Sequence, residues 1–461
     1  MAAARDMEAV SPLDGRYAAR LGGLKHLAGE GALAGYRVLV ECRYLEKLCA
    51  TPGIGARRLT AAEKALLAKL PRLSAADAQR IAAIEETGVP GIPATRHDVK
   101  AVEYFIKEKL RRTSLKDLSE LVHFALTSED VNNIAYALML RDCLALELLP
   151  ALRELLRSLD GLAVKHAATP LLARTHGQPA VPTTFGKEFR VFHARLARQV
   201  AQLGKGKLCA KLNGASGNYN AHLAAYPAVN WEKFAREFVE GFPGLEFNPF
   251  TTQIEPHDSY AELFDAQRRA NTVLLAFCQD MWRYISAGLV AQKAVAGEVG
   301  SSTMPQKVNP IHFENAEGNL GLANALLGFF SAKLPVSRLQ RDLSDSTVAR
   351  NFGAAMGHSL AAYRSVLTGL ARVSVDEAAC RAELRAHPEI IAEGVQTILR
   401  RERAAGAYEL LSKFTRGREV TAEGFAAFIT GLDVKPAVRA ELEKLSPLTY
   451  TGLAAKLAAR K

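Results

Sequence analysis

The sequence predicts an all-α protein organised around a central bundle of long helices, and three observations carry that reading. The stretch from Glu262 to Ala287 contains neither Pro nor Gly, and its apolar residues Ala270, Leu274, Phe277, Met281 and Ile285 recur at close to the spacing of one helix face. A helix of that length spans about 39 Å. Similar patterns run from Val131 to His166, Gly186 to Lys207 and Ile311 to Lys333. Strand-like alternation is confined to short stretches such as Ala180 to Thr184. Apolar faces this long need partner helices, from the same chain or from other subunits.

Taken in order, the chain opens with the turn-rich Ser11-Pro12-Leu13-Asp14-Gly15-Arg16-Tyr17, where a cation and a phenol sit side by side. Alone it reads as a turn with a surface arginine. Helical patterns cover Ala32 to Ala50 and Thr60 to Glu86, with Thr51-Pro52-Gly53 breaking them. Gly88 to Pro93 makes an extended connector. Thr95-Arg96-His97-Asp98 then precedes a helix to about Arg112, with Thr95 as its N-cap and Asp98 as the acidic arm of a capping box. From Ser114 the long helices begin, and after Val373 the helical segments become shorter and more charged. The expected domains are 1–112, 113–372 and 373–461.

Composition narrows the function classes. At 461 residues, 49% of them apolar, the chain supports a large core, and its formal charge of +11 points to anionic partners. No block of like charges, aromatic-interleaved basic patch or nucleic-acid-binding motif is present, which argues against nucleic acid and for small anions. The six cysteines include no C-x-x-C pair and the 11 histidines no H-x-x-x-H spacing, so neither disulfides nor a metal site are expected. No cofactor motif stands out. Met1 to Val10 lacks the apolar core of a signal peptide, and the longest uncharged run, Gly318 to Ala332, is too short to span a membrane. The expected location is the cytosol.

Three polar stretches interrupt the long helices. The first, Thr127-Ser128-Glu129-Asp130-Val131-Asn132-Asn133, puts hydroxyls, acids and amides at a helix start. The second, Arg174-Thr175-His176-Gly177-Gln178-Pro179, carries a loop histidine. The third, Gly300-Ser301-Ser302-Thr303-Met304-Pro305-Gln306-Lys307-Val308-Asn309-Pro310, runs into the helical pattern at Ile311. Asn309 is a good N-cap and Pro310 suits a first turn, so the positive end of the helix dipole and Lys307 would face an anion such as a carboxylate. Each stretch taken singly is an ordinary cap or loop. A bundle can bring such helix ends together into one composite site.

These three segments, in this order and spacing, resemble the shared regions of the fumarase/aspartase superfamily of lyases. Within it, Ser11 to Tyr17, His97-Asp98-Val99-Lys100, Thr251 to Asp258 and Arg338 to Asn351 are similar to the adenylosuccinate lyase family, in its longer bacterial form. The similarity covers nearly the whole chain. Two positions depart from the family's usual pattern, Gln306 where His is common and Arg96 where Asn is common.

The resemblance implies a three-domain, fumarase/aspartase-like all-α fold, and a β-elimination that releases fumarate from adenylosuccinate and from the succinylated imidazole carboxamide ribotide. By the same analogy Ser301 is the general base and His176 the general acid. Ser302, Lys307 and Asn309 would hold the succinyl carboxylates, with Thr127, Ser128 and Gln253 adding hydrogen bonds. Arg16, Tyr17, Arg341, Ser346 and Arg350 would face the nucleotide, where guanidinium forks suit phosphate. His97 would orient His176 or touch the phosphate. Arg96, Asp98, Val308, Asn315 and Thr347 complete the expected substrate contacts. The family implies a homotetramer with sites shared between subunits. Argininosuccinate lyase or fumarase is disfavoured by Arg341 and Arg350, and an inactive helical scaffold by the presence of Ser301, His176 and Lys307.

Overall fold

The computed structural model describes residues 6–295, 297, 300 and 302–460. Helices dominate it, and among the described residues the strands form three two-stranded ladders, in agreement with the all-α expectation. In chain order the elements that position functional residues are α1 (Glu30–Ala50), α2 (Asp98–Leu110) and α3 (Ser128–Cys143), followed by α4 (Leu149–Lys165). The hairpin strands β1 (Pro170–Thr175) and β2 (Gln178–Thr184) precede α5 (Phe185–Leu203), β3 (Leu208–Ala210), β4 (Leu245–Phe247) and α6 (Asp258–Ser286). Then come β5 (Val290–Gln292), α7 (Ile311–Lys333), α8 (Ser344–Ala349), α9 (Phe352–Ala371) and β6 (Val373–Val375).

The chain forms two compact units, one of Met1–Leu152, Gln199–Thr272 and Gly318–Arg364, the other of Arg153–Arg198, Val273–Glu317 and Ser365–Lys461. Each boundary falls inside a long helix, α4, α5, α6, α7 or α9, and none at a linker.

In the first unit, α1 and α2 pack Val38, Leu45, Val102, Phe105 and Ile106 into one apolar cluster. A second cluster is aromatic: Phe352 meets Phe264, Phe330 and Tyr136 at ring-centroid distances of 5.1, 5.4 and 5.7 Å. Burying each such ring contributes about 1.5–3 kcal/mol, with edge contacts adding to it. In the second unit, Phe277 packs on Phe192 and Phe313 at 5.2 and 6.3 Å. The C-terminal helices there have their own core of Leu384, Val395, Leu411, Phe425 and Leu442, joined by Leu172 of β1.

Several local expectations change. The helical pattern from Thr60 to Glu86 divides into Ala61–Lys69 and Ala75–Glu86, because Pro71 ends the first and a Ser74–Asp77 capping box starts the second. The cap of α2 is His97, not Thr95: Arg96 is left-handed at φ 53°, which stops helical growth before it, and the His97 ring accepts from Lys100 N at 3.2 Å. Asn309 does not cap α7. The Pro310 carbonyl takes that position, accepting from Glu314 N at 3.2 Å, while the Asn309 amide turns to Gly300 O at 2.5 Å. The long pattern from Val131 to His166 starts earlier, at Ser128, and passes through a π-helical turn, Leu144–Leu148, between α3 and α4. β1 pairs antiparallel with β2, so the segment containing Arg174 and Thr175 is a strand and not a loop.

Candidate active site

The expected site residues fall into two groups, one in each unit. In the first unit a chain of hydrogen bonds runs through the starts of α2 and α3. Arg350 Nη2 lies 3.0 Å from Asp98 Oδ2, and Arg37 Nη2 reaches the same oxygen at 2.6 Å. Arg37 Nε donates to Asn132 Oδ1 at 2.9 Å, and Asn132 Nδ2 donates to Glu129 Oε1 at 3.0 Å. That oxygen also accepts from Arg341 Nη2 at 3.1 Å, and Arg341 Nη1 approaches Gln253 Oε1 at 3.5 Å. The network thereby joins Asp98, Gln253, Arg341 and Arg350.

Burial opposes ionisation of Asp98, yet Arg37, the Val99 N–H and Arg350 hold its carboxyl below the ordinary value. For Glu129 burial wins and raises the carboxyl, with Arg341 pulling against it. Beside this network His97 Nε2 lies 3.2 Å from Ser128 Oγ. Because His97 Nδ1 accepts from the Lys100 amide, the neutral ring carries its proton on Nε2 and donates it to Ser128.

Under the network lies a buried support. Asp130 accepts from the backbone N–H groups of Thr127 at 2.9 Å and Asn213 at 3.0 Å. Lys211 donates to the carbonyls of Gly214 and Gln253, each at 2.8 Å, so it ties the Gln253 segment to the start of α3. Burial lowers the Lys211 pKa, with Asp130 opposing. Ser346 and Thr347 sit in the short α8, half-buried and exposed respectively. Arg16 and Arg96 are exposed, and among the described residues the network reaches neither of them. Tyr17, half-buried, leads into the 3₁₀ turn Ala18–Arg20.

In the second unit His176 stands at the tip of the β1–β2 hairpin. Thr175 pairs with Gln178, leaving His176 and Gly177 as a two-residue loop with φ of 54° and 78°, the signs of a type I′ turn. Arg174 braces it, donating to Glu383 at 2.5 Å and reaching Gly177 O at 3.4 Å. The imidazole is exposed.

Ser301 lies outside the described residues. Around it, Gly300 is pressed so closely to the Lys307 carbonyl that an added Cβ would overlap it, and Gln292 Nε2 holds the Val308 carbonyl at 2.8 Å. A cavity of about 400 Å³ opens beside this loop, lined by Lys293, Gly300, Lys307, Asn309, His312 and Arg372. Four of these bear cationic or amide groups suited to carboxylates. Ser302, Lys307 and Val308 are exposed, and Asn315, one turn into α7, accepts from Ser365 Oγ at 2.8 Å. Among the described residues no group of three or more His, Cys, Asp or Glu is placed to hold a metal ion, and no helix is long and apolar enough to cross a membrane.

Sequence reasoning missed Arg37 as a member of the site, and missed Lys211. A lysine flanked by Leu208, Ala210 and Leu212 was the available signal for the second.

A family described as lyase matches residues 37–324, and the adenylosuccinate lyase C-terminal family matches residues 337–451. Adenylosuccinate lyase from Vibrio cholerae is 47% identical over 454 residues, 98% of each chain. The enzymes of that name from Escherichia coli and Dictyostelium discoideum are 48% and 44% identical, each over 97% of both chains. The solved structure of 3-carboxy-cis,cis-muconate lactonizing enzyme from Pseudomonas putida matches with a TM-score of 0.72 at 22% identity, covering 95% of each chain, and shows the fold alone. Relatives this similar, matched almost end to end, show that the chain belongs to the adenylosuccinate lyase family, in the fumarase/aspartase superfamily of lyases.

Proposed function

We propose that this lyase eliminates fumarate from adenylosuccinate, giving AMP, and from the succinylated aminoimidazole carboxamide ribotide, as a step of purine nucleotide synthesis. The observation that carries the reading is the pair of guanidiniums, Arg341 and Arg350, each held by a carboxylate in one hydrogen-bonded network. Such forks suit a phosphate as they suit a carboxylate, and the end-to-end similarity to adenylosuccinate lyases favours the nucleotide.

In the reaction a base removes a proton next to a carboxylate and an acid protonates the departing nitrogen. Ser301 is assigned as the base. Lys307 and the loop amides supply the positive field that favours its ionised form and the doubly charged carboxylate intermediate. His176, exposed on a braced two-residue turn, is the acid. Ser302, Lys307, Val308, Asn309 and Asn315 take the succinyl carboxylates, aided by Thr127, Ser128 and Gln253. Arg16, Tyr17, Arg341, Ser346, Thr347 and Arg350 take the nucleotide, flanked by Arg96 and His97. Asp98 acts through the arginines it binds.

The working form is proposed to be a cytosolic homotetramer whose sites combine segments of different subunits. Its domains are 1–112, 113–372 and 373–461; the C-terminal helices supply most of one apolar core, which Leu172 also joins. The deciding experiment is fumarate release from adenylosuccinate, argininosuccinate and malate in separate assays, beside a Ser301→Ala variant. Turnover of adenylosuccinate alone, abolished by the substitution, is expected. Turnover of argininosuccinate or malate instead would overturn the substrate assignment.

A further inference from the structure

Arg37 comes from the middle of α1, where nothing in its local sequence marks it out. Its side chain is 6% exposed, and two of its nitrogens are committed: Nη2 to Asp98 at 2.6 Å and Nε to Asn132 at 2.9 Å. Those two partners lead to different guanidiniums. Asp98 Oδ2 also binds Arg350, and Asn132 passes through Glu129 Oε1 to Arg341. Arg37 is the link that both arms share. It also ties three elements together, because Asp98 opens α2 while Glu129 and Asn132 lie in the first turns of α3.

We infer that Arg37 is a positioning residue for the nucleotide phosphate: it fixes the spacing and orientation of Arg341 and Arg350 without touching the ligand. The inference rests on the reading that those two arginines face the nucleotide. Arg37 and Arg350 share one Asp98 oxygen, and Arg350 uses only Nη2 there, so its guanidinium keeps further N–H donors for an incoming phosphate. The planar fork matters as much as the charge. Nε and Nη2 leave one rigid plane toward two acceptors, and a lysine ammonium on a flexible stem cannot reproduce that geometry. Arg37→Lys therefore keeps the buried charge and loses the alignment.

The test is titration calorimetry of the full-length protein with AMP and, separately, with succinate as a probe of the dicarboxylate side. Arg37→Lys is expected to weaken AMP about tenfold and to leave succinate within about twofold. A role in folding alone would move both together or neither, and either result overturns the inference. Arg350→Met serves as the control for the underlying reading. Unchanged AMP affinity in that variant rejects the nucleotide-side assignment, whatever Arg37→Lys does; a wild-type protein that binds no AMP rejects both. Should Arg37→Lys lose its helical circular dichroism, Asn132→Ala cuts the same link inside α3 with a good helix former. The same split is expected there, and equal effects on AMP and succinate overturn the inference.

Discussion

Lys211 Nζ lies 3.1 Å from Asp130 Oδ1, and neither side chain has exposed surface. The pair is not an isolated ion bridge. Asp130 gathers the amides of Thr127, Asn213 and Gly214, and Lys211 gathers the carbonyls of Gly214 and Gln253, so two candidate substrate-binding segments hang on it. Lys211→Met would leave a buried carboxylate without its counter-charge, at a cost of about 3–5 kcal/mol. Urea unfolding should show that loss, and the double variant with Asp130→Asn should recover part of it. Additive losses in the double variant would refute the pairing.

Acid should destabilise the first unit through its buried histidines. Burial lowers His222 and His257 to about 4, from an ordinary 6.5. Between those values the unfolded chain binds more protons than the folded one, so the stability these rings contribute is lost as pH falls, about 3 kcal/mol each. Glu255 acts in the opposite sense: burial raises it to about 6, so the folded state takes up its proton first and gains about 2 kcal/mol on acidification. The net expectation from these three groups is a loss of about 4 kcal/mol from pH 6.5 to 4. Urea midpoints across that range should fall, and His257→Gln should flatten the slope. A slope unchanged by that substitution would count against the assignment.

The long helices were legible because their signal is local. The Ile311 to Lys333 pattern has the bounds of α7, since an apolar period and a proline at the entrance are read from consecutive residues. The β1–β2 hairpin was half legible. β2 showed some alternation, but the sequence of β1, Pro-Leu-Leu-Ala-Arg-Thr, has its first three residues buried and its last two exposed, a profile without a period of two. The site network was least legible. Arg37 and Asp98 are 61 residues apart, and Arg341 and Glu129 are 212 apart, so nothing in either neighbourhood predicts the partner. The caps shifted by one or two residues for a related reason: the Arg96 amide is held by Glu85 O and the Asn309 amide by Gly300 O, partners nine or more residues away that the cap pattern does not include.

Gly300 is required by contact. An alanine there would drive its Cβ into the Lys307 carbonyl, and relief must come from moving the loop that carries Ser302, Lys307 and the Asn309–Gly300 hydrogen bond. Displacement of catalytic groups by about 1 Å lowers turnover about a hundredfold. Gly300→Ala should therefore lower kcat by that order, with little change in the urea midpoint because the loop is exposed. A wild-type kcat would show that the loop conformation is not the one used in catalysis.

His176 has a backbone role and a proposed chemical role, and one substitution separates them. At φ 54° it occupies the first position of the type I′ turn, where asparagine is the most favourable residue. His176→Asn should preserve the hairpin, including the Arg174 contacts to Glu383 and Gly177, and keep the unfolding midpoint within about 1 °C of wild type. It replaces the imidazole, the proposed proton donor, with an amide that cannot act as an acid. If the imidazole is the general acid, kcat should fall about 10²- to 10⁴-fold. The deficit should shrink for a substrate analogue whose leaving nitrogen is already a good leaving group, because that nitrogen needs no proton from the enzyme. Equal deficits on both substrates would assign His176 to orientation and leave the proton donor elsewhere.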